Sequence, residues 1–268
     1  MNWRFEAFKG DLAECYRDLV PYMFSPAARA FADWIGPVEA KSVCEVACGT
    51  GALTVELDRV LPPNVRICAS DLSRDMVDLA KEQNYSRKIE FKTGDYEDLP
   101  YHDHEFGAVF HQFGLMFVKD HQKALEEIAR VLEPGGRHYF ATWASLEKHD
   151  LARFCKPFVA EFFDDRTTPF YDMPYRLSDA GLVEDILMGA GYRVNRVEEA
   201  IFMGAPIKAE DAAKYYVWGN SMVLTKCEDE KTALALENQM ALEMRFKLGE
   251  EFRPQMSAYF WETTPRMV

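Results

Sequence analysis

Positive charge is scarce in this sequence. It has 31 Lys and Arg residues against 44 Asp and Glu residues, which gives a formal net charge of −13 at pH 7. A surface this acidic repels phosphate backbones and anionic lipid headgroups, so nucleic acids and membrane surfaces are poor candidates for partners. A small-molecule ligand is the expectation that remains, and the composition leaves the oligomeric state open.

Long apolar runs and paired cysteines are absent as well. No run reaches the roughly 18–20 residues that a membrane-spanning helix needs, and the N-terminus carries scattered charges instead of a signal-peptide core. The six Cys residues form no CxxC pair. His102 and His104 flank Asp103 in a loop, but no third ligand is evident. We therefore expect a cytoplasmic protein with reduced, mostly buried thiols and no metal site.

The pattern that is present is an alternation of short apolar strands with helices. Helices are expected over 51–60, from the N-cap Ser73 onward, and over 121–132. The predicted strands are "SVCEVA", "VRICAS", "IEFKTG", "FGAVFHQ" and, after a Pro-Gly-Gly turn, "RHYFATW". This alternation predicts the α/β class and a doubly wound, mostly parallel sheet, which binds ligands beyond the carboxyl ends of its strands.

Two later segments depart from this rhythm. Residues 144–177 are rich in aromatic residues and proline, and residues 206–250 read as two or three helices. Between and after them we expect the helix "DAGLVEDILMGAG", the strand "YRVNRVEEAIF" and a last strand, "MSAYFWETT". Residues 1–40 read as amphipathic helices broken at Pro21, Pro26 and Pro37. These helical parts either form a cap over the ligand edge or are peripheral packing.

The expected organisation has six parts. They are an N-terminal helical cap at 1–40, a cofactor-binding α/β core at 41–145, a cap insertion at 146–177, a continuation of the core at 178–203, a helical substrate cap at 204–255 and the last core strand at 256–268.

The stretch "VCEVACGTGALTVEL" contains a strand, a Gly-rich turn and the start of a helix. A dinucleotide-binding turn needs another glycine three residues after Gly51, where this sequence has Thr54. No P-loop lysine follows the glycines either. What remains is Glu45 before the turn and Asp71 at the end of the next strand, where an acid accepts hydrogen bonds from ribose hydroxyls.

Longer motifs make the pattern more specific. "EVACGTG", "ASDLSRDMVDLA" and "GDYEDLPYHDHEFGAVFHQFGLMFVKDHQKALEEIARVLEPGGRHYFATW" resemble those of class I S-adenosylmethionine-dependent methyltransferases, of the ubiquinone-biosynthesis-like small-molecule type. The resemblance covers residues 40–145 tightly and 175–202 loosely. Ala47 departs from it, since the family's motif E/DxGxGxG has glycine there. The resemblance implies a Rossmann-like methyltransferase fold and S-adenosyl-L-methionine as cofactor.

The resemblance also implies roles for individual residues. Gly49 and Gly51, with Ala47 beside them, would let the backbone approach the methionine part of the cofactor. Glu45 would fix this loop or meet the cofactor's ammonium group through water. The remaining contacts would be Asp71 with the ribose, Leu72 and Met76 with the adenine ring, Asp95 and Tyr96 with the adenine amine, and His111 and Gln112 with the reacting end.

His111 is the expected catalytic base, because histidine titrates near neutral pH and this one ends a strand at the ligand edge. The alternative is that His111 only contacts the cofactor, and the same choice holds for Gln112. On the acceptor side we expect Trp143 to line the substrate pocket, with Tyr16, Tyr22 and Phe24 closing over the cofactor. A patch in the second insertion either binds substrate or is plain core: Tyr215, Tyr216, Trp218 and Met222.

The expected function is methyl transfer from S-adenosyl-L-methionine to a small apolar or aromatic acceptor. Oxygen is favoured as the accepting atom, since His111 could deprotonate a phenol or enol, while nitrogen, sulfur and carbon stay open. Two alternatives remain. The fold could bind the cofactor and catalyse a different reaction, or it could be a non-catalytic cofactor-binding subunit.

Overall fold

The computed structural model describes residues 11–164, 172–219, 221–227 and 229–266. Parts of three expected segments lie outside these residues: the start of the N-terminal cap, the aromatic stretch around residue 168 and the last two residues of the chain. The side chain of Met222 also lies outside the described set. The fold, the sheet and the ligand edge are built from described residues.

A seven-stranded sheet forms the centre of the molecule, in the order β3-β2-β1-β4-β5-β9-β6. β1 to β5 pair in parallel, and β9 is antiparallel to both of its neighbours. The strands are β1 Ser42–Val46, β2 Arg66–Asp71, β3 Ile89–Thr93, β4 Phe106–Gln112, β5 Leu132–Trp143, β6 Tyr192–Met203 and β9 Gln255–Pro265, with β7 Ile207–Lys208 and β8 Glu251–Phe252 forming a separate pair. The mostly parallel, doubly wound sheet confirms the predicted fold class.

Helices connect the strands and cover the sheet. Those of the α/β core are α3 Ala52–Val60, α4 Arg74–Lys81, α5 His121–Val131 and α7 Ala180–Gly189. The Ser73 hydroxyl accepts a hydrogen bond from the Met76 N–H, which confirms Ser73 as the N-cap of α4. The others are α1 Asp11–Leu19, α2 Phe24–Ile35, α6 Asp150–Phe162, α8 Ala209–Trp218, α9 Ser221–Lys226 and α10 Glu230–Leu248.

Four of these helices form one helical layer, which we call the cap. α1 contacts α8, α8 contacts α10, and α10 contacts α6. The helices therefore come together from the three regions of sequence that were predicted to be extra to the sheet. No described helix is both long enough and apolar enough to cross a membrane.

Two local predictions were wrong. Pro26 lies inside α2 and does not break it, because it occupies the first turn, where backbone N–H groups have no partner within the helix. The Pro-Gly-Gly segment lies within β5 and does not precede it. β4 pairs with β5 at Phe106↔Leu132 and again at Ala108↔Arg137, so the residues between Leu132 and Arg137 form a bulge.

Strand order fixes where a ligand can bind. The chain runs from β1 outward to β2 and β3 on one side, and then returns to β4 and β5 on the other. The loops after β1 and β4 therefore diverge and leave a crevice at the carboxyl ends of these two strands. The Gly-rich turn follows β1 directly and borders this crevice.

Most of the expected thiols are buried. Cys44, Cys48, Cys68 and Cys155 are buried and free, and Cys227 is half-buried and free. The side chain of Cys15 lies outside the described set. These positions agree with the expectation of reduced, mostly buried cysteines.

Candidate active site

The backbone of the Gly-rich turn alternates into the left-handed region. Ala47 has φ +54°, Gly49 φ +54° and Gly51 φ +89°. Glycine adopts such values freely, whereas an alanine there costs about 1–2 kcal/mol. The Ala47 methyl is accommodated because residue 114 is glycine: a Cβ added to Gly114 would lie 2.8 Å from the Ala47 Cβ. The methyl group that Ala47 adds to the family motif thus occupies space that Gly114, on the loop after β4, leaves free because it has no side chain.

Asp71 ties this turn to the end of β2. Its Oδ2 accepts a hydrogen bond from the Gly49 N–H at 2.8 Å, and its Oδ1 accepts one from the Ser73 N–H at 2.9 Å. Burial raises the pKa of Asp71, although these backbone N–H groups oppose the rise. The Leu72 N–H also interacts with this carboxyl group. The predicted ribose contact is compatible with this geometry and stays a prediction.

Glu45 is the acid of the cavity lining. It is 1% exposed and accepts a hydrogen bond from the Thr54 hydroxyl at 2.5 Å. Burial raises the pKa of Glu45 to about 8, against the opposing effect of the Thr54 hydrogen bond. Thr54 stands where a dinucleotide turn has its third glycine, and in this structure its hydroxyl donates the hydrogen bond to Glu45. The sequence showed the departure, but not the hydrogen bond.

A small cavity of about 40 Å³ lies between the Gly-rich turn, the end of β4 and the N-terminal helices. Its lining includes Glu45, Gln112 and Phe113 from the sheet side and Tyr16 and Phe24 from the N-terminal side. A pocket for a ligand of cofactor size has roughly 300–1,000 Å³. The N-terminal side chains therefore occupy much of the crevice in this structure.

The two residues at the end of β4 point to opposite sides. Gln112 lines the cavity, and its Nε2 donates to the Phe24 carbonyl at 3.4 Å. His111 is fully buried and stacks on Phe140 with ring centroids 5.0 Å apart. Neither ring nitrogen of His111 has a hydrogen-bond partner within the described chain. Burial, with His138 nearby, lowers the pKa of His111 well below its ordinary value.

This placement bears on the expected base. A general base must reach the proton that it removes, directly or through one water. His111 does not belong to the cavity lining, and its burial in the sheet lowers its pKa well below the ordinary value. The geometry thus favours Gln112 over His111 as the residue of this strand end that meets a ligand.

The residues expected around adenine lie on the loops after β2 and β3, at the same edge of the sheet. Leu72 is half-buried and Met76 is buried. Asp95 is exposed, and its Oδ1 accepts from the Glu97 N–H at 2.9 Å. Tyr96 is buried, with its ring centroid 5.2 Å from that of His111. None of these four expected contacts lines the described cavity, so their contacts with adenine stay predictions.

An aromatic group continues from the cavity along the end of β5. Phe113 stacks on Trp143 with centroids 3.5 Å apart, and Phe24 lies 6.1 Å from Trp143 and 6.3 Å from Phe113. Phe113 has φ +58°, which is strained for a bulky residue. Trp143 thus stacks on Phe113 of the cavity lining, and its role as a wall of the substrate pocket stays a prediction. Sequence reasoning missed Phe113, because nothing in the sequence signals its backbone conformation.

The other expected acceptor residues lie further out: Tyr215 and Trp218 in the cap helix α8, and Tyr22 in the turn between α1 and α2. Tyr22 stacks on Tyr215 at 6.0 Å, which links the N-terminal segment to α8. The Trp218 indole N–H donates to Glu237 Oε2 at 2.6 Å. Tyr22, Tyr215 and Trp218 do not line the described cavity, whereas Tyr16 does.

The loop histidines hold structural contacts. His104 Nδ1 lies 2.9 Å from the Leu132 carbonyl oxygen, and Asp103 pairs with Arg130 at 2.8 Å. Across the described ranges, no three His, Cys, Asp or Glu side chains are grouped so that they could hold a metal ion.

Comparison with known proteins matches this edge of the sheet to one domain family. The family described as "Methyltransferase domain" matches residues 44–140, from β1 through most of β5. A solved structure of phosphoethanolamine N-methyltransferase 2 from Haemonchus contortus, in complex with S-adenosyl-L-methionine, superposes with a TM-score of 0.59. The alignment covers 99% of this chain and 60% of that one at 14% identity, so the likeness concerns the fold alone.

Curated relatives match the same region. The demethylmenaquinone methyltransferase of Lactobacillus johnsonii is 39% identical over 97 residues, which are 35% of this chain and 40% of the relative. The ubiquinone/menaquinone biosynthesis C-methyltransferase of Hahella chejuensis is 38% identical over 100 residues, 36% of this chain and 40% of the relative. The match thus spans about two fifths of the length of these relatives. Residues 44–140 of this chain are thus similar to the methyltransferase domain family and to relatives of the ubiquinone-biosynthesis type.

Proposed function

We propose that this chain transfers a methyl group from S-adenosylmethionine to a carbon atom of a small, electron-rich aromatic acceptor of the quinol type. The names of the relatives support both the acceptor class and the accepting atom. Carbon replaces oxygen, the atom favoured from sequence, because the histidine expected to deprotonate an oxygen acceptor is buried away from the cavity.

One observation carries the proposal: the cavity at the switch point combines an acid with aromatic rings and has no cationic side chain among its described lining residues. Glu45 supplies the acid, and Phe24 and Phe113 supply the rings. Acids and aromatic faces both favour a cationic ligand over an anionic one. A sulfonium cofactor that also carries an ammonium group fits this lining.

The turn itself also fits the cofactor. A Cβ added to Gly49 would meet no atom of the described residues within 4 Å, which leaves space beside this backbone. The Thr50 hydroxyl lines the same cavity, is 2% exposed and has no partner within the described chain. A bound polar ligand would satisfy this hydroxyl, since buried polar groups are otherwise costly.

When bound, the cofactor supplies an electrophilic methyl group. The task of the protein is alignment and exclusion of water. The Gly-rich turn and Asp71 hold the donor side, and Gln112 ends β4 between the donor side and the aromatic group. Phe113 and Trp143 present flat, apolar faces against which an aromatic acceptor stacks. These side chains also keep water from the reacting atoms.

Entry of the cofactor requires movement of the N-terminal segment. Tyr16, Val20 and Phe24 fill the space in front of the Gly-rich turn, and the remaining volume is about 40 Å³. Burial and the charge of Asp71 raise the pKa of Tyr16. The Tyr16 phenol therefore stands close to the predicted ribose ligand, and it would be displaced when the ribose binds.

Two measurements test the proposal. Calorimetry should show binding of S-adenosylmethionine and none of NAD; binding of NAD alone would contradict the cofactor. Asp71→Asn should weaken cofactor binding by about 1.5–3 kcal/mol, as expected when hydrogen bonds to a charged group are lost. The matched control is Asp75→Asn on the exposed start of α4, which should leave affinity unchanged.

Turnover is then assayed with methyl-labelled cofactor and a panel of a naphthohydroquinone, a benzohydroquinone, a catechol and an aromatic amine. The proposal expects label on a ring carbon of a hydroquinone, located by NMR of the product. Label on oxygen or nitrogen would contradict it. His111→Asn should keep turnover within a few-fold, whereas loss of a positioned base would lower turnover roughly 10²-fold or more.

A further inference from the structure

Among the described residues, the titratable groups that interact with Glu45 are acidic or neutral. Its carboxyl group is 1% exposed, and its hydrogen-bond partner is the fully buried Thr54 hydroxyl, at 2.5 Å. Asp71 faces it from the end of β2. The other titratable groups that interact with it electrostatically are Cys44 and Cys48 on its own strand and turn, and Tyr85 on the loop after α4.

These surroundings destabilise the ionised form of Glu45. Removing an unpaired charge from water costs so much that the group usually neutralises instead. The Tyr85 hydroxyl gives no relief, because it donates to the Ala80 carbonyl at 2.8 Å. A threonine hydroxyl serves either form of the acid, since it can accept from a carboxylic acid or donate to a carboxylate.

We propose that Glu45 carries a proton in the ligand-free protein and releases it when the cationic cofactor enters, with the Thr54 hydroxyl stabilising the carboxylate that results. The inference rests on the proposed use of S-adenosylmethionine and deepens it. Thr54 acts through Glu45 and is a positioning residue. The neighbouring Thr50, buried and without a partner in the described chain, shows that the same cavity holds another polar group suited to a ligand.

Cofactor binding and loss of the proton from Glu45 favour each other. A cation beside Glu45 stabilises the carboxylate, so binding drives the proton off, and removal of the proton in turn strengthens binding. Burial raises the pKa of Glu45 to about 8 in the ligand-free structure. Below that value the affinity should fall about tenfold for each pH unit, and above it the affinity should level off.

The test is calorimetry of S-adenosylmethionine binding from about pH 6 to about pH 9.5, in buffers with different ionisation enthalpies, which gives the number of protons released. The wild type should release close to one proton near neutral pH, beyond the release seen with Glu45→Gln. Infrared difference spectra should show loss of a carboxylic-acid carbonyl band on binding, and Glu45→Gln should lack this band.

Thr54 is tested by the midpoint of the pH profile. Thr54→Val keeps the shape and removes the hydroxyl, so the midpoint should move to higher pH, because the Thr54 hydrogen bond lowers the pKa of Glu45. Thr54→Ser should restore it. Thr50→Val is the matched control: whatever it does to affinity, the midpoint should stay.

The possible results distinguish a failure of this inference from a failure of the proposed function. Binding that releases no proton beyond the Glu45→Gln level overturns this inference and leaves the proposed function intact. Failure of the wild type to bind S-adenosylmethionine at any pH overturns both. A midpoint that Thr54→Val and Thr50→Val shift equally overturns the role of Thr54. The wild-type measurement decides the main point even where a variant fails to fold.

Discussion

The donor edge of the sheet and the cap are held together by different kinds of contact. At the donor edge, which comprises the loops after β1 and β2, polar groups meet fixed partners: Asp71 accepts from Gly49 and Ser73, and Glu45 accepts from Thr54. The cap combines ring contacts, such as Tyr215 of α8 stacking on the N-terminal Tyr22, with polar contacts between helices, such as the Trp218 indole N–H donating to Glu237 Oε2. The donor edge is specified mainly by hydrogen bonds within its loops, whereas the cap is specified by packing together with polar side-chain contacts.

Sequence similarity follows the same division. The family match ends at residue 140 and does not reach α6, α8 or α10. Directed bonds to a constant cofactor tolerate few substitutions, whereas an apolar surface can change shape while its core stays filled. The sequence match to the family therefore covers the donor side and stops before the cap helices α6, α8 and α10. We therefore expect acceptor choice to depend on the cap.

The largest expected effect tests how firmly the donor edge is supported. The Arg87 guanidinium donates to Asp58 Oδ1 at 2.6 Å and to the Asp58 and Leu61 carbonyls at the end of α3, at 2.7 and 2.8 Å. Arg87→Ala leaves the Asp58 carboxylate, 7% exposed, without its cation. The free energy of unfolding should fall by about 3 kcal/mol or more, measured by urea denaturation.

Arg59→Ala is the control for this experiment. Arg59 is 39% exposed and pairs with Asp33 and Glu56 on the surface, so its loss should cost about 0–1 kcal/mol. Equal losses from the two variants would mean that burial of the Arg87 pair contributes nothing special to the support of α3.

The second prediction separates folding from binding within the Gly-rich turn. A Cβ on Gly51 would lie 2.6 Å from the Tyr85 hydroxyl, and φ is +89°, so Gly51→Ala should lower the free energy of unfolding by about 1–3 kcal/mol. A Cβ on Gly49 meets no atom of the described residues within 4 Å, so Gly49→Ala should cost less stability. It should still weaken cofactor binding at least about tenfold, because its methyl group enters the ligand space.

Denaturation and calorimetry on both variants check this prediction. Normal cofactor affinity in a folded Gly49→Ala variant would show that the turn does not lie against the cofactor. The donor edge would then lose its main distinction from the cap, since its directed bonds would serve folding alone.

Prediction from sequence was most accurate where the hydrophobic periodicity or the turn-forming residues of a short segment determine its structure. The β4 strand, the Ser73 cap and the Gly49-Thr50-Gly51 turn each follow from a short stretch of residues. Prediction from sequence failed where contacts between distant segments determine the orientation of a side chain or the conformation of the backbone. β4 is covered on both faces, so a continuous apolar run does not reveal which face His111 takes. The left-handed Phe113 depends on neighbours that are distant in sequence, such as Trp143.

The third prediction concerns His138, a buried residue of β5. Burial lowers the pKa of His138 to about 3. Since this folded value lies below the unfolded one, the stabilising contribution is complete above the unfolded pKa of about 6.5 and is lost as pH falls. At about pH 5 the free energy of unfolding should be about 2 kcal/mol lower on account of His138 alone.

Urea denaturation at a series of pH values checks this, as the difference between the wild type and His138→Asn. Asparagine retains a hydrogen-bonding group near Thr263, which lies 3.2 Å from His138 Nδ1. The control His102→Asn removes an exposed imidazole and should leave the pH dependence unchanged. Parallel profiles for wild type and His138→Asn would mean that His138 is solvated in the folded protein.

The smallest expected effect tests whether the cap can change without the donor edge. Tyr22→Leu and Tyr215→Leu each remove one ring of a stacked pair at 6.0 Å, and the coupling between them should be about 0.5–1.5 kcal/mol in a double-mutant cycle. Cofactor Kd should stay constant in these variants while the KM for the acceptor rises. Phe246→Leu, on the same cap and 87% exposed, is the control and should change neither constant. If cofactor Kd moves as much as acceptor KM, then the N-terminal segment joins the two regions through Tyr16 and Phe24, and acceptor choice and cofactor binding are not separable in this protein.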